Sequence, residues 1–185
     1  KPHETHYFIS VFHEKLFIVE NEKDLINKFI KAYHHRLKVM IIEIIPGKDD
    51  CLYHYRSYID RNEYVLAEMC TQKLRQDPPD FGIARVSKTI PIIQDIKEPT
   101  LKLLRCVSYR GVSSAEFKWD YGDSQYKLME INVRPVRPER LFTAAGVNFP
   151  YITYLDCVQK ISRKTPTYKN DMYWISNFAD IIEFF

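Results

Sequence analysis

The chain has 185 residues, 45% hydrophobic and 28% charged, a balance typical of a globular protein with a packed core. Its net charge of +3 comes from scattered Lys and Arg, which argues against a nucleic-acid surface and favours small anionic ligands. No apolar run approaches the about 20 residues that span a bilayer, so we predict no membrane partner.

The cysteines and histidines match no metal or disulfide pattern. There is no C-x-x-C pair, and the six histidines include no H-E-x-x-H. We therefore expect buried free thiols in the reducing cytosol and a cytoplasmic location. The cysteines are Cys51, Cys70, Cys106 and Cys157.

The first third of the chain predicts two strands, a helix and a third strand. Residues 7–19 read as two short strands around a turn at 13–15. Asn21 is a suitable N-cap for a helix whose apolar residues recur at helical spacing as far as Tyr33. The β-branched run 38–45 predicts a buried strand that ends at Pro46 and Gly47.

The rest of the chain predicts a larger, mostly antiparallel set of strands with helices. The overall prediction is α+β in two lobes, 1–46 and 47–162, followed by a tail at 163–185. The expected elements are strands 51–59 and 63–73, a proline loop at 74–82, a strand at 83–90, a helix at 96–109 whose first turn begins near Pro99, a hairpin of 111–119 and 125–133, and helices 139–147 and 149–162.

The hairpin carries the most informative constellation. Its turn places Glu116 opposite Glu130, on one face with Asn132. Two opposed carboxylates repel, so a cation is expected between them. Lys118 could serve alone, whereas two carboxylates and an amide oxygen suit Mg²⁺. The alternative is an exposed, charged sheet face. Ser114 and Lys118 share the acidic face, and Ala115, Phe117, Trp119, Met129 and Ile131 form an apolar face that packs on helices.

The segment AEFKWD…KLMEINVRP resembles the metal-binding hairpin of ATP-grasp enzymes, in particular the carboxylate–amine ligase and carbamoyl phosphate synthetase-like branches. The segments VMIIEIIPG, QKLRQDPPDFGIA and TAAGVNFPYITYLDCV, and the opening KP, resemble other family segments in the same order, over about residues 1–160. The resemblance implies an ATP-grasp fold with two lobes, mostly antiparallel sheets and flanking helices, and ATP clasped between the lobes.

The resemblance also implies roles for individual residues. Glu116, Glu130 and Asn132 would hold Mg²⁺ on the ATP phosphates. Arg134 would stabilise the transferred phosphoryl group or the acyl phosphate, and Arg75 is a weaker candidate for the substrate carboxylate. The family proline is Val133 here, and Ser114 stands where some relatives carry Arg, which puts more of this task on Arg134.

For the nucleotide, the resemblance implies a hinge and several polar contacts. Backbone groups of Glu43, Ile44 and Ile45 would read the adenine edge. Either Asp49 or Asp50 would bond the ribose, and the remaining phosphate contacts would be Lys1 and Lys73. For each of these residues, the alternative is an ordinary surface position.

The implied activity is that of an ATP- and Mg²⁺-dependent ligase, which activates a carboxylate as an acyl phosphate for attack by an amine or thiol. We expect small-molecule carboxylate and amine substrates, and homo-oligomer formation stays open. The chain begins KPHETHYF, so we expect the C-terminal part of a longer enzyme, inactive without the preceding part. The alternatives are a non-catalytic nucleotide-binding or interaction fragment and a purely structural α+β domain.

Overall fold

The computed structural model describes residues 1–160 and 164–176. These residues divide into two compact units, Lys1–Ile44 and Ile45–Phe185, so the boundary falls inside the segment predicted as a hinge. Residue 163 and residues 177–185 of the predicted tail, including its hydrophobic end FADIIEFF, lie outside the described residues.

The first unit is built from two helices, α1 (Thr5–Phe12) and α2 (Glu22–His34). The predicted cap of α2 is confirmed, because the side chain of Asn21 accepts a hydrogen bond from the backbone N–H of Asp24. A small core of Phe8, Ala32 and Leu37 joins the helices.

The two strands predicted for residues 7–19 are wrong, since α1 occupies residues 7–12 and residues 13–19 form no strand. Phe8 and Phe12 stand four residues apart, which places both rings on one side of a helix. Phe8 is only 1% exposed, and its ring centroid lies 4.8 Å from those of Phe12 and Phe17. This aromatic cluster stabilises the helix against the strand propensity of the sequence.

The buried strand predicted for residues 38–45 is also wrong. Within the described residues, this run forms a single antiparallel bridge, between Pro2 and Val39. Ile41 and Ile42 are 73% and 51% exposed. A β-branched run becomes a strand only where neighbouring strands pair and pack against it. Among the described residues of the first unit, the backbone of this run pairs only with Lys1–His3.

The second unit is built on a six-stranded antiparallel sheet with the order β5-β4-β1-β2-β3-β6. Its described residues also form a 3-10 helix at Asp49–Cys51 and three α-helices. The strands are β1 (Leu52–Ile59), β2 (Val65–Asp77), β3 (Ile83–Ile90), β4 (Gly111–Asp120), β5 (Gln125–Asn132) and β6 (Tyr173–Ile175), and the helices are α3 (Gln94–Cys106), α4 (Glu139–Ala145) and α5 (Phe149–Cys157).

Helices cover both faces of this sheet. On one face, α3 packs against Tyr55, Ala115 and Phe117. On the other face, α4 and α5 pack against Tyr58 and Met69. The predicted α+β architecture with mostly antiparallel strands and flanking helices is therefore confirmed for this unit.

Several predicted boundaries differ from the structure, and two of them involve prolines. Strand β2 continues to Asp77, so the proline loop begins later than expected. Helix α3 begins at Gln94 and contains Pro99, which had been expected near its first turn. Ile96 is fully buried, and its packing anchors the helical turn that precedes Pro99.

All four cysteines are free, but they do not share one environment. Cys51 and Cys70 are buried as expected, whereas Cys106 and Cys157 are exposed. In the part of the chain that the structure describes, no helix is long and apolar enough to cross a membrane.

Candidate functional site

The hairpin register confirms the central geometric prediction. Glu116 on β4 pairs with Glu130 on β5, and Ser114 pairs with Asn132. Just beyond this pair the register shifts, because Phe117 pairs with Leu128. A β-bulge of this kind re-aims the side chains next to it. It leaves Met129 45% exposed, so the prediction that Met129 joins the apolar face is wrong.

Glu116 lies in the middle of a row of polar groups that crosses three strands. His54 on β1 pairs with Glu116 on the side opposite to Glu130. Its Nε2 atom lies 3.7 Å from Oε2 of Glu116. Sequence reasoning missed His54, because the pairing of β1 with β4 joins segments far apart in the chain.

A buried lysine completes this cluster. Nζ of Lys73, on β2, donates to Oε1 of Glu116 at 2.9 Å and to Oε1 of Gln76 at 3.1 Å. The Lys73 side chain is 5% exposed and that of Glu116 is 15% exposed. The cation beside Glu116 is thus Lys73, while Lys118 pairs with Lys127 further along the hairpin.

The protonation states follow from this arrangement. Burial alone raises the pKa of Glu116, but His54 and Lys73 oppose it and the net pKa lies below its ordinary value. Burial lowers the pKa of His54, and the charge of Glu116 offsets only part of that effect. The imidazole is therefore neutral at pH 7, and Lys73 is the charge that balances the Glu116 carboxylate.

Asn132 belongs to the same cluster. Its Nδ2 atom donates to Oε1 of Glu130 at 2.8 Å, so the amide and the carboxylate are oriented together. This bond uses the amide nitrogen and leaves the amide oxygen, the atom that a hard cation takes, as an acceptor.

The donor set fits a magnesium ion. Carboxylate oxygens from Glu116 and Glu130 and the amide oxygen of Asn132 are hard ligands on one sheet face, and magnesium keeps several waters besides. The described residues contain no group of three His, Cys, Asp or Glu side chains arranged for a metal. The predicted set falls outside that definition, because it consists of two such acids and an amide.

Asp49 is engaged elsewhere in the unit. Its carboxylate accepts from Gln76 N at 3.1 Å, from Gln76 Nε2 at 2.6 Å and from Asp80 N at 3.2 Å. Gln76 also accepts from Lys73, so these bonds link Asp49 to Glu116 through two intervening side chains. The carbonyl of the neighbouring Asp50 accepts from Gln72 Nε2 at 2.7 Å.

The other predicted residues are two exposed arginines of the second unit and the residues at the start of the chain and at the predicted hinge. Arg134 is exposed and its Nη1 donates to the carbonyl of Pro135 at 3.3 Å. Arg75 is exposed at a register shift between β2 and β3. Lys1, Glu43 and Ile44 belong to the first unit and Ile45 to the second. Lys1 pairs through its backbone with Met40. The structure brings Lys73, Glu116, Glu130 and Asn132 together.

Comparisons with known proteins agree with this architecture. No protein-family model matches the chain. A D-aspartate ligase from Enterococcus faecium (strain Aus0004) is 29% identical over 154 residues, which are 80% of this chain and 37% of that enzyme. The chain therefore spans just over a third of the length of this relative.

Solved structures extend the match. N5-carboxyaminoimidazole synthetase from Staphylococcus aureus, complexed with ADP, superposes with a TM-score of 0.61 at 15% identity, over 80% of this chain and 39% of that chain. Biotin carboxylase from Campylobacter jejuni gives 0.56 at 15% identity, over 82% and 36%. All three of these proteins are ATP-grasp enzymes.

This chain has the ATP-grasp fold. A further ATP-grasp neighbour is the biotin carboxylase domain of the Hydrogenobacter thermophilus 2-oxoglutarate carboxylase, in complex with MgADP. It superposes with a TM-score of 0.57 at 15% identity, over 83% of this chain and 36% of that chain. The resemblance to ATP-grasp enzymes inferred from the hairpin is thus confirmed.

Proposed function

We propose that this ATP-grasp chain is the catalytic ATP-binding region of a Mg²⁺-dependent ligase, which activates a carboxylate as an acyl phosphate for attack by an amine. One observation carries the proposal: Glu116 pairs with Glu130 across the hairpin, with Asn132 bonded to Glu130 beside them. The likeness to a D-aspartate ligase and to neighbours that hold ADP and MgADP supports the choice of nucleotide and reaction.

In this proposal the hairpin binds the metal that accompanies the nucleotide. Glu116, Glu130 and Asn132 supply its protein ligands, and bound magnesium would neutralise charge on the phosphoryl oxygens. Lys73 keeps Glu116 ionised and oriented before the nucleotide arrives, and its ammonium also suits a phosphate oxygen.

The remaining residues complete the nucleotide and substrate contacts of the proposal. The backbone of residues 43–45 reads the adenine, and Pro46 has no N–H to contribute. Asp49 or Asp50 bonds the ribose, and Asp49 keeps a free lone pair after its three hydrogen bonds. Lys1 binds a phosphate. Arg134 binds the transferred phosphoryl group, and Arg75 binds the substrate carboxylate.

The proposed reaction has two steps, and atoms and charge balance in each. A substrate carboxylate oxygen attacks the γ-phosphorus of ATP and releases ADP, which gives an acyl phosphate. An amine, or less often a thiol, then attacks the acyl carbon, the bond from this carbon to the phosphate oxygen breaks, and the proton lost by the nucleophile leaves with the phosphate. The protein positions the reactants and neutralises charge, and no covalent bond to the chain is required.

Thermal unfolding tests the first half of the proposal. The chain is heated with and without Mg²⁺ and a non-hydrolysable ATP analogue, together with Glu130→Gln. A ligand that binds only the folded state stabilises it by about 2.7 kcal/mol at a hundred times the dissociation constant. We expect a magnesium-dependent shift in the wild type, loss of the shift in Glu130→Gln, and its retention in Glu98→Gln, a matched change of an exposed acid on α3.

The second half is tested by ADP release. Carboxylates and amines are screened with MgATP, beginning with D-aspartate, which carries both groups and is named in the relative. A wild-type chain without any magnesium-dependent shift would overturn the proposal. A shift without ADP release for any substrate pair would support either the non-catalytic nucleotide-binding alternative or the expectation that this chain is inactive by itself.

A further inference from the structure

An arginine is buried in the middle of the second unit. Arg56, on β1, is 2% exposed and is the largest fully buried side chain among the described residues. Its guanidinium carbon lies 4.9 Å from the ring centroid of Phe142 and 4.6 Å from that of Phe149. The charge is thus enclosed by the two helices that cover this sheet face.

The partner of Arg56 is Glu139, the first residue of α4. Nη2 of Arg56 donates to Oε1 of Glu139. The same oxygen accepts the backbone N–H of Val136 at 3.3 Å. One carboxylate oxygen therefore connects the central strand, the start of α4 and the segment that precedes it.

Burying this ion pair between a strand and a helix costs free energy. Among the described residues, Nε and Nη1 of Arg56 and Oε2 of Glu139 are buried without a hydrogen-bond partner. Burial lowers the pKa of Arg56 to about 10 and raises the pKa of Glu139. Apolar groups of similar volume would often be as stable or more stable in such a place, so stability alone does not account for the pair.

The position of the pair in the sheet suggests another role. Arg56 pairs with Ser114, and Ser114 pairs with Asn132. The chain leaves the sheet after Asn132, and at Glu139, where α4 begins, the hydrogen bond from Arg56 connects it to β1 again. The intervening residues 133–138, which we name the arginine segment because they carry Arg134, therefore have both ends fixed at one level of the sheet.

We propose that Arg56 and Glu139 are positioning residues that hold the arginine segment, and with it Arg134, next to Asn132. The inference rests on the proposed function for the importance of Arg134, but the contacts that hold the segment do not. Arg56 is too deeply buried to touch a substrate, so it acts through Glu139 and the N–H of Val136.

Amide hydrogen exchange tests the positioning directly, without any nucleotide. The double variant Arg56→Met/Glu139→Met removes both charges and the acceptor of the Val136 N–H, while apolar side chains fill the space between the two phenylalanines. We expect the Val136 and Arg137 amides to exchange at least about tenfold faster than in the wild type, with β4 unchanged. Glu139→Gln retains an acceptor oxygen and should give a smaller increase.

A matched control separates positioning from general loosening. Leu104→Ala opens a cavity on the opposite sheet face and should not change exchange in the arginine segment relative to β4. Unchanged exchange in the double variant, or an increase spread evenly over the second unit, would overturn the proposal. If the double variant does not fold, the increase expected for Glu139→Gln is measured in the same way and judged by the same outcomes.

A double-variant cycle then connects the segment to the nucleotide. Arg134→Ala is made alone and in the Arg56→Met/Glu139→Met background, and the thermal shift with Mg²⁺ and a non-hydrolysable ATP analogue is measured. Non-additive losses support positioning through Arg134, and fully additive losses contradict it. A wild-type chain with no shift would overturn the proposed function, and hydrogen exchange would still decide whether the pair holds the segment.

Discussion

Nζ of Lys73 lies 2.9 Å from Oε1 of Glu116, although 43 positions separate the two residues in the chain. Both side chains are mostly buried, on the two strands that flank β1. The ammonium compensates the carboxylate that we propose as a magnesium ligand. The same group suits a phosphate oxygen, so the site can exchange one charge partner for another when MgATP binds.

Replacing Lys73 should destabilise the second unit. Lys73→Met leaves the Glu116 carboxylate buried without its main counter-charge, and breaking such a pair costs about 3 kcal/mol. Urea denaturation measures this, with Lys102→Met as the control because Lys102 is exposed on α3. The double variant Lys73→Met/Glu116→Gln should recover part of the loss. An unchanged urea midpoint for Lys73→Met would mean that the pair contributes no stability.

Replacing Asp49 should lower stability in the absence of any nucleotide. Asp49→Ala leaves two N–H donors of the second unit and the Gln76 amide without their acceptor, a loss of about 1–3 kcal/mol. Asp50→Ala is the matched neighbour and should stay within about 0.5 kcal/mol of the wild type. If Asp49→Ala kept full stability and lost only nucleotide affinity, its principal role would be to bond the ribose.

Replacing Arg134 should slow ADP formation more than it weakens folding. The side chain is exposed, so Arg134→Ala should change stability by less than about 0.5 kcal/mol. Loss of a cation at the transferring phosphoryl group should lower the rate of ADP formation by about 100-fold or more. Arg137→Ala, an exposed arginine three residues further on, is the control. Equal effects of the two changes would argue against a specific role for Arg134.

The fold should lose stability in alkali through Cys70. Burial raises the pKa of this thiol from 9.0 to about 12, so between those values the unfolded chain releases a proton that the folded chain keeps. Stability from this group is complete below pH 9 and is lost as the pH rises toward 12, by about 1.4 kcal/mol per pH unit. Tyr168, whose pKa burial raises to about 12, adds to the trend.

The contribution of Cys70 is measured by difference. Unfolding free energies at pH 8 and pH 10 are compared for the wild type and Cys70→Ala. The alkaline loss should shrink by about 1 kcal/mol in the variant. Cys106→Ala, a change of an exposed cysteine, should leave the loss as it is in the wild type. An equal loss in all three proteins would contradict the assignment.

Local order in the chain was predictable from the sequence. The cap at Asn21 depends on a donor three residues away, and the pairing of Glu116 with Glu130 depends on a short turn between two adjacent strands. In both cases the interacting residues are near neighbours, so the pattern of residues contains the geometry. The bulge that exposes Met129 marks the limit of this reasoning, since a shift of one residue in register leaves no clear trace in the pattern.

The surroundings of the hairpin were decided by the tertiary structure. His54 and Lys73 reach Glu116 because β1 lies between β4 and β2 in the sheet order, and Arg56 reaches Glu139 because α4 packs on the same sheet face. The same dependence on partners explains why residues 38–45, with strong strand propensity, form only an isolated bridge. The sequence by itself determined which side chains could serve at the hairpin. Which charges stand next to them depended on long-range strand pairing, since burial and packing select that pairing and no local pattern encodes it.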